Sequence, residues 1–494
     1  MINNSSQKIF NNSLLYALGT VLSKAVGFFL VPIYTYNMTK EAYGAATTII
    51  SFVSTFGVVV ILALRAAMIR FYNDYTEEKR RRFVGSIVTV VLLNAGVLCL
   101  ILCLVHRWYM PLLFKGMDFF PCVFWGVLAL GMEGVYLVYQ SLLQAKQDGK
   151  GYSLNSIVYL FFHGLTVVVF VAVLKLDVLG MVLACFVTNA CFAAYGLFRM
   201  LRQGHMVLCL DKAELKKALK YSLPILPHNL ANDLNNYSVK LIIGNFLNYA
   251  LSGLYTLASQ FATIVNLVQS SVNLAFRPWF IEQMQAGEEG RSQIKHMSCM
   301  IMALFSFCAV GVALFSKEIV LIMAEAAYAE AWKMVPVFIL VQLISFIYYS
   351  HVQTLMYNLK MSKFTAICSF TGLGVNVGVS LLLVNSLGIY GILIGQVASK
   401  IALSALAVVM SNRAEHVDFG LGRMIGYILV TAVLIGAGTL LSLQWEGLNL
   451  WSILLKLIVL AVGFAAFLLP YGSDYRILIA GLFRKSKTQK GTVK

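Results

Sequence analysis

Long apolar runs separated by short polar loops recur along the whole chain, and each run is close to the length that crosses a bilayer. Hydrocarbon about 30 Å thick takes about 20 apolar residues at ~1.5 Å rise per residue. Cores of that kind run from Ser13 to Tyr34, Gly44 to Met68, Phe83 to Val105, Phe119 to Leu142, Leu154 to Leu174, Val178 to Phe198 and Ser222 to Phe246. They continue from Leu251 to Phe276, Met297 to Met323, Val335 to Tyr357, Phe364 to Val384, Ile389 to Met410, Met424 to Leu443 and Leu450 to Leu469. The pattern predicts an all-α polytopic membrane protein of about 14 transmembrane helices, the seventh being the most polar.

The second half of the pattern repeats the first. Tyr43-Gly44 opens one helix and Leu251-Ser252-Gly253 another, an offset of 209 between the glycines. Arg70, beside Phe71 and Tyr72, matches Arg277, beside Phe276 and Trp279, at an offset of 207. Gly180 matches Gly391 and Lys150 matches Lys363, at offsets of 211 and 213. Near-constant spacing over four anchors argues against chance likeness of greasy segments. An even number of helices per half makes the repeat parallel, with two six-helix bundles over 1–220 and 221–423. A terminal transmembrane pair over 424–470 and a basic tail over 471–494 follow. Substrate is expected where the halves meet.

Composition fixes the solvent. A chain 60% hydrophobic and 12% charged, with mean hydropathy +0.80, would expose large apolar areas as a soluble globule. The formal charge of +17 would point to nucleic acid in a soluble protein. Here 27 of the 38 Lys and Arg lie in alternate loops and only 6 in the opposite ones. That distribution orients a membrane protein with both termini cytoplasmic and sets nucleic acid aside.

Several kinds of chemistry find no residues to carry them. The nine cysteines are scattered without a CxxC pair, and Cys99 and Cys103, one turn apart, read as packing. No GxxxxGK[ST] loop is present, which excludes ATP-driven transport by this chain alone. No metal cluster or catalytic constellation is legible, so the chain reads as a non-enzyme without a cofactor. No small-residue cleavage site precedes the first polar loop, so the first helix reads as uncleaved.

Function then falls to polar residues where they are expensive, since an ionisable side chain at a helix centre costs about 2.5–3.5 kcal/mol on insertion scales. Five cations lie within the spans: Lys24, Arg65, Lys240, Lys400 and Lys456. Lys24 continues a polar stripe through Asn12, Tyr16 and Thr20 and reads as cavity lining, an internal ion pair being the competing reading. Arg65 either joins it or snorkels. Lys400 and Lys456 read as snorkelling. In the seventh span Asn232 and Asp233 precede Asn236, Tyr237 and Lys240, and Asp233, Asn236, Tyr237 and Lys240 share one helical face. That face reads as cavity lining, against an internal Asp233–Lys240 network, and Pro224 and Pro227 should kink or break the span's first turns. Asp233, Glu133 and His163 are the candidates for coupling Na+ or H+, a satisfied core role being the alternative for the last two. Gly372, Gly374 and the Gly391–Gly395 stretch read as close helix packing.

The run Asn12-Ser13-Leu14-Leu15-Tyr16, the exit Leu30-Val31-Pro32-Ile33-Tyr34, the Tyr43-Gly44 opening and the Arg70-Phe71-Tyr72 to Arg80-Arg81-Arg82 loop resemble bacterial polysaccharide biosynthesis flippases. These belong to the multidrug/oligosaccharidyl-lipid/polysaccharide exporter superfamily. The resemblance implies a monomer in the bacterial cytoplasmic membrane, working near glycosyltransferases or a polymerase. It also implies two helix bundles that open alternately and flip a polyprenyl-diphosphate-linked oligosaccharide. Lys24 matches, in kind, the first-helix cations of the related murein-precursor flippases. A murein lipid precursor and, for a cation-coupled multidrug antiporter, an organic cation are the alternative cargoes. A membrane glycan polymerase or ligase would need a large exterior loop, and the longest here runs only from about His106 to Asp118.

Overall fold

A computed structural model of the chain describes residues 27–476, apart from 359, 360 and 362. Its first half contains α1 (Val31–Asn37), α2 (Lys40–Ile61), α3 (Leu64–Phe71), α4 (Glu77–Leu104), α5 (His106–Leu113), α6 (Phe124–Ala145), α7 (Gly149–Val167), α8 (Asp177–Arg202) and the amphipathic α9 (Lys212–Ser222). Then come α10 (Leu226–Ile242), α11 (Tyr249–Gln285), α12 (Glu288–Leu314), α13 (Ser316–Met323), α14 (Val335–Tyr357), α15 (Phe364–Leu387) and α16 (Ile389–Ala414). A hairpin of α17 (Leu421–Gln444) and α18 (Leu450–Phe467) follows. Among the described residues the regular structure is entirely helical, and twelve helices are long and apolar enough to cross a membrane. Those twelve include neither the first predicted core, which lies mostly outside the described residues, nor the short polar α10.

The repeat is written into the elements. Short helices of equal length, α5 and α13, follow α4 and α12 and lie 210 residues apart. Thr39 caps α2 by accepting from the Ala42 amide, and Asn248, 209 residues on, caps α11 by accepting from the Leu251 amide. Gly44 and Gly253 then let the two helices touch. A Cβ on Gly44 would lie 1.8 Å from the Tyr249 carbonyl oxygen, and one on Gly253 would lie 2.4 Å from that of Lys40, the residue 209 before Tyr249. The contact is therefore reciprocal, as an internal two-fold requires. Thr47 and Thr256, again 209 apart, meet with hydroxyl oxygens 3.1 Å apart. The third anchor pair also shares a structural job: Gly180 packs on the Phe170 carbonyl and Gly391 on that of Leu383, each closing a helix hairpin. Gly372 and Gly395 bring α15 and α16 together as expected, whereas Gly374 faces open space.

Three predicted spans need correction. Gly44 to Met68 is not one helix, because Leu62 and Ala63 adopt left-handed φ of 51° and 54° between α2 and α3. Met297 to Met323 ends at Leu314, and α13 is separate. Lys456 does not snorkel. Its ammonium lies 2.5 Å from Glu318, fully buried where α18 meets α13, while neighbouring Lys317 donates to the Ser442 and Trp445 carbonyls. This charged clamp fastens the terminal hairpin to the second half. Breaking one side leaves an uncompensated buried charge, a loss of about 3–5 kcal/mol. Glu318→Gln and Lys456→Met should each lower the thermal midpoint in detergent, whereas the combined Glu318→Leu/Lys456→Met should recover most of it. Equal loss in the double variant would show that the pair is not the cause.

Candidate functional site

The polar α10 sits where the halves meet, and its side chains hold it to both. On the α2 side, the Thr55 hydroxyl donates to the Asp233 carbonyl at 3.2 Å and the Lys240 ammonium donates to that of Thr47 at 3.3 Å. On the α15 side, Asn376 donates to the Asn235 side chain at 2.8 Å, and His228 and Ser369 share a hydrogen bond of 2.8 Å. The chain breaks at residues 223–225, and α10 begins with Pro227 in its first turn, as the two prolines predict.

Two compartments adjoin along α10, and Asp233 lines both. The first, about 580 Å³, is lined by Arg65, Glu133, Asn229, Asn232 and the broken end of α2. The second, about 400 Å³, is lined by Asn235, Asn236, Lys240, Gln342, Gln396 and Lys400. Among the described residues, neither the Lys240 nor the Lys400 ammonium has a carboxylate within ion-pair distance. The internal Asp233–Lys240 ion pair considered for this helix is thus not formed. Around Lys400, Gln396 donates to the Tyr255 hydroxyl, so the walls are polar without being acidic.

The broken helix supplies the first compartment's character. The left-handed pair frees carbonyls of α2, and Asn94 of α4 donates to those of Val59 and Val60 at 2.8 and 2.9 Å. Irregular backbone at membrane depth is tolerated where such partners exist or where it borders a cavity, and here both hold. Arg65, in the first turn of α3, faces the cavity and donates to the Ser141 hydroxyl at 3.0 Å, so it does not snorkel. Asn94→Leu should strand both carbonyls, at about 1–3 kcal/mol, read as a lower thermal midpoint in detergent. An unchanged midpoint would mean that water or another group takes over.

The remaining predicted site residues fall elsewhere. Tyr237 does not line either compartment; it is buried edge-on against Phe52, 5.7 Å between ring centres. His163 lies between α7 and α8, facing Thr188 at 3.3 Å, away from Asp233 and Glu133. Lys24 lies outside the described residues. Lys400, read as snorkelling, lines the second compartment instead; it is twelfth of the 26 residues of α16, too deep to reach an interface. That central position was the signal available in the sequence.

One end of this site is sealed. The Gly44–Gly253 crossing lies at the starts of α2 and α11, and Tyr34, Tyr43 and Tyr328 stack over it, with the Tyr328 hydroxyl donating to the Met38 carbonyl at 2.9 Å. The first compartment runs the other way, toward Ile69 and the basic loop that follows it.

The fold matches known membrane proteins over most of the chain. It is similar to the lipid II flippase MurJ in an inward closed conformation, with a TM-score of 0.69 and 12% identity, covering 94% of this chain and 100% of that one. It is also similar to the multidrug transporter DinF-BH, with a TM-score of 0.60 and 16% identity, covering 84% of this chain and 96% of that one. A Vibrio cholerae transporter, VcmN, matches with a TM-score of 0.56 and 14% identity over 84% of this chain and 98% of that one. A protein of the Lsg locus of Haemophilus influenzae is 22% identical over 311 residues, 62% of this chain and 73% of that protein. The family model described as polysaccharide biosynthesis protein matches residues 9–285. With more than half of its length matched by that model, this multi-pass membrane chain belongs to the polysaccharide biosynthesis protein family.

Proposed function

We propose that the chain flips a polyprenyl-diphosphate-linked oligosaccharide across the cytoplasmic membrane by alternating access. The observation that carries this reading is the pair of cations, Lys240 and Lys400, without carboxylate partners in a polar compartment at the meeting of the halves. A diphosphate cannot cross hydrocarbon unaided, and fixed cations in a low-dielectric cavity offset its desolvation without reading the sugar. Arg65 extends the cationic surface into the first compartment, where Asn229 and Asn232 offer hydrogen bonds suited to sugar hydroxyls. Lys24 joins them if its stripe faces the same space. Asp233 and Glu133 are placed to take a coupling Na+ or H+.

With the basic loops in the cytoplasm, the sealed end faces outside and the first compartment faces in, an arrangement suited to loading. An inside-negative potential then favours outward movement of the anion by about 2.3 kcal/mol per charge per 100 mV. The test is translocation of a labelled polyprenyl-diphosphate oligosaccharide in proteoliposomes under an imposed potential. Potential-dependent flipping that is lost in Lys24→Gln or Lys240→Gln supports the reading. Uptake of organic cations in place of the lipid would overturn it in favour of a multidrug antiporter.

A further inference from the structure

We propose that α9 and the strand of chain before it form a binding site for anionic phospholipid at the membrane surface. This stands apart from the cavity and from the cargo. Along α9, Leu215, Leu219 and Leu223 recur every four residues, and Lys212, Lys216 and Lys220 recur beside them with the same spacing. The leucines floor a groove of about 410 Å³ that these three lysines rim. All three lysines are exposed, and among the described residues none forms an ion pair. Lys217, by contrast, turns inward over the Phe71 and Tyr75 rings at 4.8 and 4.9 Å.

The depth of the groove is set by α4. The Asp211 amide donates to the Ser86 hydroxyl at 2.9 Å, and the Val207 amide donates to the Arg81 carbonyl at 3.3 Å. On α4 this is the passage from the charged start, Glu77–Arg82, to the apolar run that begins at Phe83. The close approach depends on Gly85, whose Cβ would lie 1.8 Å from the Val207 carbonyl oxygen. Val207, Leu208 and Leu210 are exposed at the same level, 53%, 58% and 46% respectively. An apolar floor at the hydrocarbon boundary with a cationic rim fits an acyl chain lying along the leucines and a phosphate among the lysines. Charge complementarity selects an anionic headgroup over a zwitterionic one.

The site touches the transport machinery. Tyr221 packs edge-on against Phe71 of α3, ring centres 5.3 Å apart, and α3 carries Arg65 at its other end.

The full-length protein in detergent should be titrated with dioleoyl phosphatidylglycerol and dioleoyl phosphatidylcholine and followed by native mass spectrometry. Phosphatidylglycerol should bind in preference, and each of Lys212→Gln, Lys216→Gln and Lys220→Gln should weaken it about fivefold. Because the three positions are exposed, size-exclusion behaviour of the variants should match the parent. Equal binding of both lipids, or unchanged phosphatidylglycerol binding in the triple variant, would overturn the proposal. Displacement of the lipid by inorganic phosphate or by polyglutamate would also overturn it, pointing to a soluble anion or an acidic protein as the occupant.

Discussion

Replacing Lys240 and Lys400 together by glutamine should cut flipping of the diphosphate-linked oligosaccharide at least about 100-fold while leaving the fold intact or slightly firmer. The direction follows from what each ammonium lacks. Neither has a carboxylate partner, so each bears most of its own desolvation in the apo protein. A diphosphate entering the compartment supplies the missing charge. Hydrogen bonds between charged groups contribute about 1.5–3 kcal/mol each, roughly one to two orders of magnitude in affinity or rate per lysine. Removing two unpaired charges from a low-dielectric site relieves the apo state, so the thermal midpoint should hold or rise as transport falls. That opposition separates a binding role from a structural one, for which both quantities would fall together. Lys240→Arg/Lys400→Arg keeps the charge and should retain part of the activity. Full activity in the double glutamine variant would remove the cations from the mechanism.

The residues that advertised themselves in the sequence are those whose meaning depends on local spacing. Gly44 and Gly253 were legible because a two-fold repeat leaves the same small residue at the same offset, and the structure brings the two into contact. The polar face of α10 was legible because its residues recur at helical intervals. Its edge was not. At about 100° per residue, Tyr237 lies roughly 60° beyond Lys240 and 100° beyond Asn236, far enough to turn from the cavity into the core beside Phe52. Long-range partners were invisible for a different reason. Glu318 and Lys456 are 138 residues apart, and Asn94 reaches Val59 and Val60 across a helix boundary, so no periodicity joins them. The break at Leu62–Ala63 carries neither glycine nor proline, and tertiary contacts impose it. These misses cluster beside the cavity, where local preference gives way to a site.

A disulfide between Thr47→Cys and Thr256→Cys, in a background with the nine native cysteines replaced, should stop transport when oxidised and release it when reduced. The two hydroxyl oxygens lie 3.1 Å apart across the pseudo-two-fold contact, and the glycines one turn earlier hold the backbones at nearly their closest approach. A sulfur pair can therefore bridge with little backbone movement. Alternating access requires this crossing to part, because it closes one end of the cavity beneath the Tyr34–Tyr43–Tyr328 stack. Its hold is made of van der Waals contact and two hydroxyl pairs, Thr47–Thr256 and Thr48–Ser252, rather than ion pairs, so it can open without exposing charge to hydrocarbon. Oxidation should abolish at least about nine-tenths of flipping, whereas binding of the diphosphate lipid from the basic side should persist, since a covalent staple only removes states in which the ends separate. Each single cysteine variant should transport normally under the same oxidant. Undiminished transport with the bridge fully formed would mean that α2 and α11 stay together throughout the cycle, and that the cargo leaves by a lateral path between helices instead.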